Sequence, residues 1–450
     1  MSPQHPDGHV LYRRMWHTYP TVVHGEGITL IDDAGRRYLD AAGGAIVVNT
    51  GHGVQAIARA IAEQAAQIAY VHAEKFTTPV LEEYAAALAE VIPLPGVRFF
   101  PLTTGSEANE GAIKLARQLQ LIRGHPDRYL IIGRWRSYHG TTLGTLAVGG
   151  RLAARERFRP MMPDMPHIEP PTCYRCPLGK TYPTCGIACA DLLEATIVEH
   201  GPERVAAFIA EPVSGAALGA TVPPPEYWPH IREICDRYGI LLIADEVMCG
   251  FGRTGRWCAF EHFNFTPDIL TMGKGLAGGV FPLSVLAVSG ALVEELVAAR
   301  QDIAHAGTFS HHPVGAAAGL ATLRYLQEHD LVAAAARKGV ILGEMLHEAL
   351  DHLPGVGDVR GLGLMWGVEF VADKATHAPF PSRLGVAGRV FDAARELGLM
   401  LYPAQGAVDG ASGDCVMIGP PAIITEAEMQ QVVALLAQAI RAAVPTQTGR

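Results

Sequence analysis

The feature that most narrows the fold is a set of short, almost uninterrupted apolar runs: VRFFPL (97–102), RYLIIG (128–133), VAAFIAEP (205–212), ILLIADEV (240–247), DILTM (268–272) and FPLSVLAVS (281–289). A strand with one wet face alternates apolar and polar residues. These runs do not alternate, so both faces of each must be covered. Helix-like stretches stand between several of them, near 80–91, over 107–123 and over YWPHIREICDRYG at 227–239. Strands alternating with helices read as an α/β chain with a mostly parallel sheet between helical layers. A composition that is 49% hydrophobic and 18% charged supplies the core this requires.

The chain ends read differently. GITLIDDAGRRYLDAA (27–42) suggests two short strands around an Asp-Asp-Ala-Gly turn, and a helix-like run over 54–69 follows. After Pro313 two helical stretches, 314–329 and 331–351, lead to VRGLGLMWGVEFVAD, a further helix, a strand near 399–402 and a closing helix from Glu426. The expected division is a large α/β domain over 60–325 and a smaller α+β domain built from 1–59 and 326–450. The tail PTQTGR is expected to fray.

A net charge of −9 gives nucleic acid or an anionic membrane no cationic footprint to bind. No apolar run approaches membrane-spanning length, and MSPQHPDGHVLYRRMW lacks the apolar centre of a signal peptide, so a cytoplasmic location is expected. Disulfides are not expected in so large a chain without a secretion signal. Cys235, Cys249, Cys258 and Cys415 sit among apolar or mixed neighbours and read as packing residues.

Open parallel sheets bind ligands beyond the carboxyl ends of their strands, which directs attention to the polar residues just past each run. Gly105-Ser106, between a strand and a long helix, offers backbone N–H groups, a hydroxyl and a helix N-terminus to a phosphate; Ser106 could equally be a plain N-cap. Asp245 follows ILLIA, where a carboxylate needs a cationic partner such as a pyridinium N–H, unless it merely caps. Lys274, between glycines in LTMGKGLAGG, is poorly explained as a surface charge. Partial burial would turn its ammonium towards a nucleophilic amine. Tyr138, in SYHG, offers a ring for stacking, and Thr308, in GTFSHH, a second hydroxyl for phosphate.

Taken in order, GSEANE, SYHG, AEP, DEVMCGFGRTG, MGKGLAGG and GTFSHHP resemble the class III (subgroup II) aminotransferases, which include the ω-amino acid and amine:pyruvate transaminases. The resemblance runs from the 27–42 hairpin to PPAIITEAEM. It implies fold type I, the aspartate aminotransferase-like fold, with a seven-stranded, mostly parallel sheet in the large domain and a smaller α+β domain. It also implies pyridoxal 5′-phosphate (PLP) carried covalently by Lys274. Gly105 and Ser106 would hold the phosphate, Tyr138 and Val247 would flank the ring, and Asp245 would pair with the ring nitrogen. Glu211 and His139 match the family's active-site glutamate and the neighbour of its stacking aromatic. Thr308 would reach the phosphate of a neighbouring subunit. A homodimer would then be the smallest complete enzyme, with a dimer of dimers as the larger alternative. The implied reaction moves an amino group from an ω-amino acid or amine to a keto acid by ping-pong steps. An aminomutase, an amino acid racemase, or a 4-aminobutyrate:2-oxoglutarate aminotransferase of the same fold are the alternatives.

The sequence departs from the family at four places. Members using ornithine or 4-aminobutyrate carry an arginine where DCVMIGPP places Met417, which leaves Glu211 without its usual partner and favours pyruvate over a dicarboxylate acceptor. No arginine lies between Leu401 and Met417, so pyruvate's carboxylate needs another donor. Ala45 and Ile46 stand where some amine transaminases have a large aromatic, which suggests a roomier, more aliphatic wall. The stretch CYRCPLGKTYPTCGIAC holds Cys173, Cys176, Cys185 and Cys189 at a spacing that could hold a metal or remain as thiols, and Cys185 and Cys189 would share a face if a helix begins there.

Overall fold

The computed structural model describes residues 9–445, so the tail from Thr446 onwards lies outside the described residues. Seven strands form the central sheet, in the order Arg98–Leu102, Ser284–Val288, Ile269–Met272, Leu241–Asp245, Val205–Ala210, Leu130–Arg134 and His167–Ile168. All run parallel except Ser284–Val288, which pairs antiparallel with both its neighbours. Every residue of Leu241–Asp245, Val205–Ala210 and Ile269–Met272 is buried, which explains why these runs never alternate. Because the reversed strand starts where its neighbours end, Met272 is joined to Ser284 across the carboxyl edge of the sheet.

Helices cover both faces. Gly105–Ile122 lies against the sheet through Ala108, Ala112, Leu115 and Leu119. Tyr227–Tyr238 buries Trp228 and Ile231 and ends at Gly239, whose φ of 62° suits a residue without Cβ. Trp228 stacks on Phe265 with ring centroids 4.5 Å apart and donates its indole N–H to Pro212 O at 3.1 Å. Among the described residues no helix is long and apolar enough to cross a membrane.

The remaining strands form two smaller sheets. Val22–Glu26, Thr29–Asp32 and Arg37–Asp40 form an antiparallel ribbon, and Leu399–Met400 joins it parallel to Arg37–Asp40. The second sheet places Met365–Asp373 between Val356–Leu362 and Asp414–Ile418, with Tyr402–Gln405 beyond. Helix Glu426–Ala443 begins in a capping box between Thr425 and Glu428.

Several elements go beyond the sequence expectations. Val22–Glu26 extends the expected hairpin, Asp414–Ile418 is a full strand, and the strand expected near 399–402 is two short pieces. A further helix spans Ala188–His200. It starts after Cys185, so Cys185 and Cys189 do not share a helical face.

The second half of DEVMCGFGRTG explains itself here. Buried Arg253 donates to Leu364 O (3.2 Å), Pro420 O (2.6 Å) and Val48 O (3.2 Å), tying the central sheet to both chain ends. Burial lowers its pKa to about 10.

Candidate active site

At the carboxyl edge of the central sheet a cavity of about 380 Å³ gathers Gly105, Ser106, Tyr138, His139, Glu211, Asp245, Val247 and Lys274. The sequence-predicted residues therefore converge, with one exception: Thr308 is exposed and outside the cavity wall.

The helix start resolves the ambiguity over Ser106. Thr104 is the N-cap, its hydroxyl accepting from Glu107 N at 3.2 Å. Ser106 is thereby free for another partner, and its Oγ accepts from Thr141 N at 3.1 Å. Two glycines set the shape of this corner. A Cβ at Gly105 would lie 2.8 Å from Val247 Cγ1, and one at Gly140, where φ is +144°, would lie 2.6 Å from both Ser106 Oγ and Thr145 Oγ1.

Asp245 is 3% exposed, yet it is well supplied with donors. Its Oδ2 accepts from Asn109 Nδ2 at 2.8 Å and faces His139 Nδ1 at 2.7 Å, while Oδ1 accepts from Val247 N at 3.0 Å. The Asn109 amide is itself oriented: its Oδ1 accepts from Thr271 Oγ1 at 2.7 Å, and Nδ2 also reaches His139 O at 2.8 Å. With Nδ1 of His139 directed at a carboxylate, Nε2 is left buried without a hydrogen bond. Asn109 was not singled out in advance. Its position one helical turn beyond Ser106 in GSEANE is the signal that could have found it.

Lys274 sits in the cavity wall with φ at +46°, a left-handed conformation that costs energy for a residue with a Cβ. The loop around it is clamped. Asn49 Nδ2 donates to Gly275 O (3.0 Å) and Phe251 O (3.2 Å), and a Cβ at Gly275 would lie 2.7 Å from that same nitrogen. Loss of hydration lowers the Lys274 ammonium to about 8, against the opposing pull of the Asp245 and Glu211 charges.

Glu211 does have a cation. Buried Arg134, which continues the apolar run RYLIIG, approaches Glu211 Oε2 at 3.9 Å and donates to Glu211 O at 2.6 Å. Met417 does leave Glu211 without the family's usual arginine, and the guanidinium beside it comes instead from the end of a sheet strand. Oε1 accepts from Gly215 N at 3.2 Å, Oε2 makes no hydrogen bond, and burial raises the carboxyl pKa. Met417 is buried within its strand, paired with Gly367 and Tyr402, and does not line the cavity.

The aliphatic wall is also reassigned. Ile46 is buried against Gly419, where its Cδ1 would lie 2.6 Å from an added Cβ, and Ala45 is exposed; the neighbour that lines the cavity is Val47. Elsewhere, Cys173, Cys176, Cys185 and Cys189 border one small recess, all as free thiols. No group of three or more His, Cys, Asp or Glu that could hold a metal occurs among the described residues.

A family model described as aminotransferase class-III matches residues 12–440. The putrescine–pyruvate aminotransferase of Pseudomonas aeruginosa is 35% identical over 92% of this chain and 89% of its own length. The diaminobutyrate–2-oxoglutarate transaminase of Halomonas elongata is 35% identical over 93% of this chain and 89% of its own. The crystal structure of an (S)-enantioselective omega-transaminase from Thermomicrobium roseum superposes with a TM-score of 0.90 at 37% identity, covering 98% of this chain and 96% of that one.

Proposed function

Because the chain belongs to the class III aminotransferases, we propose that it moves an amino group from an ω-amino acid or amine to pyruvate, with PLP as its cofactor. The observation that carries this reading is the placement of Asp245, held by Asn109, His139 and Val247 N, in one cavity with a lysine whose ammonium is lowered to about 8. The residues present fit PLP: the two crowded glycines leave a backbone cradle beside Ser106, and a buried carboxylate awaits a cationic ring nitrogen.

When bound, PLP supplies an electron sink for charge that develops at the donor carbon. Gly105 and Ser106 hold the phosphate, and Tyr138 and Val247 flank the ring. Asp245 keeps a proton on the ring nitrogen; His139 and Asn109 fix its carboxylate in the required plane. Glu211 closes the wall beside them. Lys274 would carry the cofactor and, in its neutral form, which a pKa of about 8 makes far more accessible than for an ordinary lysine, would take a proton from the donor carbon and return it as an acid. The same residues serve donor and acceptor in turn, which gives ping-pong kinetics.

Acceptor choice rests on charge. Apart from Lys274, no arginine or lysine lines this cavity among the described residues, while Glu211 and Asp245 both do. A second acceptor carboxylate would be buried beside like charge, so pyruvate fits better than 2-oxoglutarate. A homodimer fits the surface around Thr308, where Phe309, Tyr70 and Phe76 are exposed and the first two rings meet edge to face. In that assembly Thr308 reaches the partner's phosphate site. The free thiols suit a reducing compartment, the cytoplasm. We also read 60–325 as the PLP-binding domain, with 1–59 and 326–450 sharing the smaller one; the pairing of Leu399–Met400 with Arg37–Asp40 supports this.

The test is a screen of putrescine, β-alanine, taurine and 1-phenylethylamine against pyruvate and 2-oxoglutarate. The PLP-loaded protein should form alanine, and Lys274→Ala should abolish turnover. Conversion of an amino acid with no acceptor would replace transamination by mutase or racemase chemistry. Preference for 2-oxoglutarate would overturn the acceptor assignment.

A further inference from the structure

Beyond Ala216, which lines the cofactor cavity, the next residue Ala217 borders a second hollow of about 380 Å³. Two guanidinium groups line it, from Arg136 and Arg151. Arg136 is committed elsewhere, donating to Val408 O at 2.9 Å and to the Glu169 carboxylate. Arg151 is half-buried, and although its carbonyl accepts from Ala154 N and Arg155 N, no hydrogen bond or ion pair engages its guanidinium among the described residues. A partly desolvated guanidinium without an anion is costly, and its planar fork matches a carboxylate.

Its position is built into the backbone. Gly150 N donates to both Ser137 O and Ser137 Oγ at 3.2 Å, fastening the residue before Arg151 to the one before Tyr138. No side chain fits at 150, since a Cβ would lie 2.1 Å from Arg134 O. On the other side Leu152 packs against Gly410, so the 150–152 turn and the 405–411 loop form facing walls of the hollow. The Tyr138 phenol feels the Arg151 charge, which opposes the rise in its pKa caused by burial.

We propose that Arg151 forms the carboxylate subsite of this enzyme, receiving the carboxylate of a small 2-oxo acid such as pyruvate, and of the amino acid formed from it, at the edge of the cofactor cavity. The proposal rests on the aminotransferase reading. It supplies the cation that the stretch from Leu401 to Met417 lacks, from the opposite wall.

Two readouts test it in the PLP-loaded protein. One is the ratio of kcat/KM for pyruvate to kcat/KM for a short aliphatic aldehyde, an acceptor with no carboxylate. The other is propionate binding, measured by titration calorimetry. Arg151→Gln should lower the ratio roughly ten-fold or more and weaken propionate to a similar degree, as expected for loss of a charge-assisted bidentate contact. Arg151→Lys should recover part of both. An unchanged ratio, a fall in both acceptors together, or unaltered propionate binding would overturn the proposal; if the Gln variant does not fold, an unchanged ratio in the Lys variant does the same. A wild-type protein that transaminates no amine would sink the aminotransferase function, while loss of propionate binding on substitution would still uphold the carboxylate subsite.

Discussion

Lys274 should destabilise the cofactor-free protein, and the size of that effect follows from its surroundings. Its pKa falls from the ordinary 10.5 to about 8 in the fold. Protonated lysine is therefore favoured in the unfolded chain. The sign follows directly: above 10.5 both states carry a neutral amine and there is no penalty; the penalty grows as pH falls through the window to 8 and is complete below it. A displacement of that size corresponds to about 3 kcal/mol. This is an upper bound, because the cavity admits water to part of the side chain. Lys274→Met keeps the volume and removes the charge. Urea unfolding of PLP-stripped proteins should show the variant more stable than the wild type by up to about 3 kcal/mol at pH 7, narrowing to about 1.5 kcal/mol at pH 9.5. The comparison cancels the titrating groups that do not interact with Lys274; Asp245 and Glu211, which do, keep their charge across this pH window. A difference that stays flat with pH, or a wild type that is the more stable at pH 7, would refute the reasoning.

Asn109→Ala removes two donors and an acceptor, leaving Asp245 and the Thr271 hydroxyl each short of a partner; kcat should drop roughly ten- to hundred-fold and PLP affinity should weaken, as read by steady-state kinetics and cofactor titration. Arg253→Met would leave the carbonyls of Leu364, Pro420 and Val48 without their donor, costing about 2–4 kcal/mol of stability in thermal or urea unfolding; a loss under 0.5 kcal/mol would show that water replaces the guanidinium.

The central sheet was legible because burial on both faces leaves a plain mark: ILLIAD and VAAFIA contain no polar residue before their ends. Charges at those ends were equally readable, and Asp245 was found this way. Arg134 stands at the same place at the end of RYLIIG and is buried, but an arginine there does not by itself separate a buried ion pair from a surface charge. Side-chain direction was harder. Ile46 and Val47 are adjacent apolar residues, and which one faces the cavity depends on an irregular backbone, with positive φ at Gly43, Gly44 and Ile46, that the sequence does not spell out. Asp414–Ile418 was obscured by short, fully buried length, which periodicity alone does not separate from a loop. The cysteine stretch shows a further limit: spacing brought four thiols to one recess, but spacing says nothing of whether their sulfurs point at a common centre.

The one reversed strand in the central sheet has a consequence for how this chain can change in length. A parallel neighbour would have required a crossover with a helix, and crossovers absorb insertions readily. Instead the chain spans from Met272 to Ser284 along a single edge, anchored at the near end by Asn49 on Gly275 and at the far end by Ser284 Oγ on Thr104 O at 2.8 Å. Lys274 lies near the start of that span, in the short turn Lys274–Ala277, two residues past the end of its strand. One residue added or lost between Met272 and the Asn49-clamped Gly275 would shift the amine relative to Asp245, whereas the exposed stretch at Gly279, Val280 and Pro282 has room for such slack. Length variation among relatives should therefore avoid Met272–Gly275 and fall, where it occurs, in the exposed part of the connection.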